Sequence, residues 1–173
     1  MTKKELGKKI KEKCYLTGSF KLRSGLISGF YWDKYRFESD PVLLNAVASQ
    51  MQELLPVNFD RLAGLELGGV PIATELSRIT GKPTLFVRKE AKTYGTCNLA
   101  EGGFENGETL VVVEDVITTA GQVCTSINQL RALGFQIEHV VCAIDRLQGG
   151  GKKIAELGCE LSAVFTLDEL ESY

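Results

Sequence analysis

The chain has 173 residues, 44% of them hydrophobic, with a formal net charge of −2, which supports one full hydrophobic core and leaves little for a second domain. The slightly acidic balance lacks the basic excess of a nucleic-acid binder, and no apolar run is long enough to span a bilayer. Cys14, Cys97, Cys124, Cys142 and Cys159 are dispersed without C-x-x-C spacing beside a single histidine, His139, which argues against a zinc site or a disulfide scaffold. With no secretory leader evident, a cytoplasmic protein with reduced thiols is expected.

In chain order, Thr2 and Glu5 form a capping box, and Leu6, Ile10 and Cys14 recur on one face of a first helix. The stretch from Gly18 to Ser39 is aromatic-rich and reads as irregular. Asp40–Pro41 then supplies a cap and a first-turn proline for a helix carrying Leu43, Leu44, Val47, Ala48, Met51 and Leu54. Arg61 to Glu66 reads as a strand ending at Gly68–Gly69, and Pro71 starts a helix that stops at Gly81. Further strands are expected at Thr84–Arg88, Leu110–Glu114, Ile137–Asp145 and Leu161–Thr166, with a helix over Gly121–Leu133. The alternation predicts an α/β fold, a mostly parallel central sheet flanked by helices. Its ligands should bind at the carboxyl ends of the strands, and Glu66–Gly69, Arg88–Lys92, Glu114–Gly121 and Asp145–Gly151 all fall there. Nothing divides the chain, so residues 1–173 read as one domain, with about residues 1–38 as a small cap over the site.

The segment Leu110–Gln122 combines a buried strand, the adjacent carboxylates Glu114 and Asp115 at its tip, and a hydroxylated loop opening a helix. Backbone N–H groups of Thr118, Thr119, Ala120 and Gly121, aided by the helix dipole, can cradle a phosphate. The two carboxylates suit vicinal sugar hydroxyls and can orient water on a divalent cation. A ribose 5-phosphate satisfies both halves. There is neither a Gly-Lys-Ser/Thr ending nor a G-x-G-x-x-G, which argues against an ATPase loop and a dinucleotide fold. Arg88, Lys89 and Lys92 precede a polar segment, Thr93 to Gly103, that reads as a flexible lid; an exposed hairpin with solvated lysines is the alternative. Cations there would neutralise a departing diphosphate.

The Glu114–Gln122 segment resembles the phosphoribosyl diphosphate (PRPP) signature of type I phosphoribosyltransferases. "FKLRSGLIS", "FVRKEAKTYGT", "EDVITTAG" and "IDRLQGG", in this order over essentially the whole chain, resemble the orotate phosphoribosyltransferases. The resemblance implies the type I phosphoribosyltransferase fold, with an N-terminal hood and a lid that closes over the neighbouring subunit's site, hence a homodimer with shared active sites. It implies transfer of ribose 5-phosphate from PRPP to orotate, with Mg²⁺. Lys92, Asp115 and Glu114 would be the catalytic residues. Arg88, Lys89, Lys92 and Tyr94 would meet the diphosphate, with the loop at Leu67–Gly68, whose peptide geometry is often unusual in the family. Glu114 and Asp115 would hold the ribose diol and water on Mg²⁺, and Val116, Ile117, Thr118, Thr119, Ala120, Gly121 and Gln122 would complete the PRPP site. Arg146, Arg23, Tyr31, Trp32 and Thr118 would receive orotate. His139 is expected to be structural. Three departures stand out: Tyr94 where many members have histidine, Ala120 where glycine is usual, and Gly68 where some have lysine. The rival readings are transfer to another base and a PRPP-sensing regulator of the same fold.

Overall fold

A computed structural model describes residues 1–21, 25–90 and 98–173 of the chain. Helix α1 (Lys3–Cys14) opens with the expected capping box, the Thr2 hydroxyl accepting from Glu5 N–H and the Glu5 carboxylate accepting from Thr2 N–H. Strands β1 (Tyr15–Lys21) and β2 (Ile27–Trp32) then pair antiparallel, a hairpin where an irregular stretch was expected. Most of its residues are exposed on both faces, so no period-two burial pattern exists for the sequence to display. Ring contacts hold it instead: Tyr15 stacks on Phe30 at 5.4 Å and meets Trp32 edge-on at 5.5 Å.

The one-turn helix α2 (Tyr35–Glu38) leads into α3 (Pro41–Gln52), capped by Asp40, whose Oδ1 accepts from Val42 N–H at 2.9 Å and Leu43 N–H at 3.1 Å. After β3 (Arg61–Leu65), α4 (Gly69–Thr80) begins at Gly69, ahead of the expected start at Pro71, and ends at Gly81 with φ 71°. Then come β4 (Thr84–Val87), β5 (Ala100–Glu101), β6 (Thr109–Ile117), α5 (Gly121–Ala132), β7 (Gln136–Asp145), α6 (Gly150–Glu156), β8 (Glu160–Thr166) and α7 (Leu167–Ser172).

The main sheet has the order β5-β4-β3-β6-β7-β8, parallel except for β5. Side chains alternate across β6, so Val111 and Val113 join the core beneath α1, α3 and α4 while Leu110 and Val112 join the one beneath α5 and α6. Burial on both sides is why Leu110–Val113 reads as an unbroken apolar run. From β3 the chain moves outward to β4 and then crosses back to place β6 on the other side of β3. The crevice at this reversal, outside the carboxyl ends of β3 and β6, is where open α/β sheets bind ligands.

Candidate active site

β6 runs on to Ile117, so Glu114 and Asp115 lie within the strand and not at its tip as expected; the pairing with β7 continues through Ile117 opposite Asp145. Asp115 is fully buried. Its Oδ1 accepts the Val116 N–H at 2.5 Å, and its Oδ2 is ion-paired with the Lys34 ammonium. Burial works against ionisation of Asp115, but hydrogen bonding with Glu114 and the charge of Lys34 outweigh it and hold its pKa below the ordinary value. Burial equally opposes the Lys34 charge, yet Asp115 keeps that pKa above the ordinary lysine value. Glu114, partly buried and next to Asp115, is pushed well up by desolvation and by Asp115. Glu38, 6% exposed at the end of α2, is raised to about 8 by burial and by Asp115. One cation therefore serves three crowded carboxyl groups, and two of them are driven toward the neutral form.

The following loop carries Thr118 to Gln122. Ala120 has φ 54° and is 5% exposed, and α5 starts on it with no side chain capping its first turn. The opening N–H groups of α5 thus lack a side-chain acceptor, which is what a phosphate site at a helix start requires. Thr119, Gly121 and Gln122 are exposed at this turn. A cleft of about 210 Å³ lies in front of it, bounded by Lys34, Leu67, Lys89, Glu114, Thr118 and Gln122, with Val116 and Ile117 in its wall. On the β3 side the Glu66–Leu67 peptide is cis, one bond before Leu67–Gly68. The backbone of Gly68 lies close against Asp115, while that of Gly69 closes on the Val113 carbonyl.

A second cavity, of about 310 Å³, adjoins the cleft and shares Lys34, Val116 and Thr118 with it. Tyr31, Trp32 and Arg146 line it. Arg146 Nε and Trp32 Nε1 are buried without hydrogen-bond partners among the described residues. Asp145 does not take up Arg146; its Oδ1 accepts from Leu147 N–H at 2.9 Å. A flat aromatic wall beside a guanidinium whose Nε has no partner among the described residues suits a planar anion. Cys14 also lines the cavity, its thiol pushed up to about 11 by burial and so protonated.

Arg88 Nε stands 3.5 Å from Glu101 Oε1, and the Lys89 N–H donates to Glu66 Oε1 at 2.9 Å. Arg23, Lys92 and Tyr94 lie outside the described residues. His139 sits on β7, its Nδ1 3.9 Å from Glu160 Oε2. Reading the sequence missed Lys34 and Glu38; the only signal was a lysine directly after the aromatic pair Tyr31–Trp32 and Asp33.

The phosphoribosyl transferase domain family matches residues 42–158, and fold and site together define a phosphoribosyltransferase. The orotate phosphoribosyltransferase of a Nocardioides species is 53% identical over 159 residues, covering 92% of this chain and 89% of that protein. The crystal structure of orotate phosphoribosyltransferase from Aeropyrum pernix superposes with a TM-score of 0.85 at 32% identity, covering 96% of both chains. That of the Mycobacterium tuberculosis H37Rv enzyme in complex with PRPP gives 0.83 at 26% identity over 98% of both. The chain belongs to the orotate phosphoribosyltransferase family.

Proposed function

We propose that this chain transfers the ribose 5-phosphate of PRPP to orotate, releasing diphosphate and orotidine 5′-phosphate for pyrimidine nucleotide synthesis. The observation that carries the reading is the shared wall between the phosphate cleft and the Arg146 cavity, where Val116 and Thr118 face both. A base held against Tyr31 and Trp32 is thereby placed beside the sugar of a donor whose 5-phosphate sits on the start of α5. Arg146 pairs with the orotate carboxylate, and Arg23 lies in the segment the family uses for the same base. Thr118 touches both reactants.

The bond from ribose to diphosphate loosens before the pyrimidine nitrogen attacks, so positive charge develops on the sugar. Glu114 and Asp115 hold the ribose hydroxyls, and the ionised Asp115 favours that charge; Arg88, Lys89 and Lys92 hold the leaving diphosphate, with Tyr94 as a further donor. The lid bearing Lys92 excludes water from the reacting centre. The oxygen donors of the cleft, Glu66 and Glu114 beside Asp115, suit a hard cation that keeps its water. Mg²⁺ carried on the diphosphate would neutralise part of the leaving group's charge. We place the enzyme in the cytoplasm as a homodimer whose lids cross to the partner's site. Among the described residues no helix is long and apolar enough to cross a membrane.

The direct test is the loss of orotate absorbance on adding PRPP and Mg²⁺, with formation of orotidine 5′-phosphate. No product from the wild-type chain, together with transfer to uracil or hypoxanthine, would assign it to another base; no product and unaltered PRPP binding by Asp115→Asn would remove the proposal.

A further inference from the structure

Asp115 has two oxygens, and both are in use: Oδ1 accepts the Val116 N–H and Oδ2 is paired with Lys34. Asp115 is also fully buried, so a ribose hydroxyl reaches Oδ2 only when a group now covering it moves. That oxygen is reached from two sides, by the Lys34 ammonium from the cap and by the backbone of Gly68, whose lack of a side chain leaves the space open. Lys34 lies over the Tyr35 ring at 5.2 Å and lines both the phosphate cleft and the Arg146 cavity. Lys34 and Lys89 are the two cations that line the phosphate cleft among the described residues. A polyanionic donor held there by Lys89 therefore comes within the field of the Lys34 ammonium as well.

We propose that Lys34 is a diphosphate-positioning residue: it neutralises Asp115 while the site is empty, is displaced from Oδ2 when the ribose hydroxyls bind, and transfers its ammonium contact to the diphosphate of the donor. The exchange keeps charge balanced in a buried place. Asp115 trades an ion pair for hydroxyl donors at the moment when the incoming anion supplies Lys34 with a new partner, so neither group is left bare. The same movement opens Asp115 only when a polyanionic sugar is present, which ties recognition of the ribose to recognition of its leaving group. This rests on PRPP as donor, as proposed above.

The test uses the full-length enzyme and the variants Lys34→Gln, which can still donate a hydrogen bond to Asp115, and Lys34→Arg, which keeps the charge. Calorimetry with inorganic diphosphate and Mg²⁺ should show binding weakened about 10- to 100-fold in Lys34→Gln, the worth of one charge-assisted hydrogen bond, and largely restored in Lys34→Arg. In steady-state kinetics the KM for PRPP should rise by a similar factor while that for orotate stays within about twofold. In wild-type enzyme labelled with ¹⁵N-lysine, the Lys34 ammonium resonance should shift on adding diphosphate and not on adding orotate alone. That measurement decides the matter if Lys34→Gln does not fold. Diphosphate binding by Lys34→Gln equal to wild type, a defect confined to orotate, or an unmoved ammonium resonance would each overturn the assignment. A wild-type enzyme that binds no diphosphate would instead remove PRPP as donor.

Discussion

A Cβ built on Gly68 would lie 1.5 Å from Asp115 Oδ2 and 2.3 Å from its Cγ. The loop after β3 and the acidic crest of β6 are thus fitted to each other through the one residue type that has no side chain. Gly68→Ala must displace either the loop or the carboxylate. Overpacking of this kind costs about 1–3 kcal/mol, so denaturant unfolding should show a loss in that range and the KM for PRPP should rise. A variant with wild-type stability and kinetics would mean that the two segments do not meet this way.

Ala120 holds φ 54° with its methyl buried at the start of α5. Glycine there relieves a left-handed strain of about 1–2 kcal/mol, but it gives up a buried methyl of about 0.8 kcal/mol and gains unfolded-state freedom of about 0.4–1 kcal/mol. Ala120→Gly should leave the melting temperature nearly unchanged. Ala120→Val adds a β-branched side chain at the same φ and should lower it by several degrees. Equal melting temperatures for the two would contradict the left-handed turn.

Glu38 predicts a pH dependence. Its folded-state pKa, about 8 against 4.5 for the free side chain, means the folded chain binds this proton more tightly than the unfolded chain. Its contribution to stability is complete below about pH 4.5 and is lost as pH rises through about 8. Glu114, also raised, acts in the same direction. Thermal melts between about pH 5 and pH 8 should show wild-type stability falling with pH, and Glu38→Gln should flatten the slope. Parallel curves for the two proteins would show that Glu38 does not hold the proton.

Arg146 faces the aromatic cavity with Nε unsatisfied among the described residues. Arg146→Leu should raise the KM for orotate by about 10- to 100-fold, the worth of a charge-assisted pair, and leave that for PRPP nearly unchanged. Arg146→Lys should recover only part of the loss, because an ammonium cannot present two parallel donors. A defect that fell on PRPP instead would move Arg146 to the other half of the site.

With Lys92 acting on the leaving group as proposed, Lys92→Ala should slow turnover at least tenfold, by about 1.4 kcal/mol or more in the barrier, and weaken orotate binding far less. Single-turnover rates alongside orotate titrations separate the two effects. Unchanged turnover would take Lys92 out of the chemistry.

Much of the architecture was legible because local pattern and tertiary role coincide. Leu110–Val113 is apolar throughout since both faces of β6 are covered, and Asp40–Pro41 marks the start of α3 by its own chemistry. The β1–β2 hairpin was not legible, because its residues are mostly exposed on both sides and it is held by ring pairs such as Tyr15 with Phe30. Glu114 and Asp115 were legible as a candidate pair beside a phosphate loop, but not their place inside a strand that continues to Ile117. Lys34 and Glu38 escaped notice since what makes them matter is Asp115, a partner far along the chain that only folding brings near. Short-range pattern cannot report a charge balance assembled across such a distance.

The segment that follows β4 is fastened at its base: the Arg88 N–H donates to the Leu99 carbonyl at 2.9 Å, the Lys89 N–H to Glu66 at 2.9 Å, and β5 then pairs back onto β4. Glu66 is the one side chain among these ties, so Glu66→Ala should speed hydrogen exchange at the Lys89 amide while the Arg88 amide, held by the Leu99 carbonyl, keeps its protection.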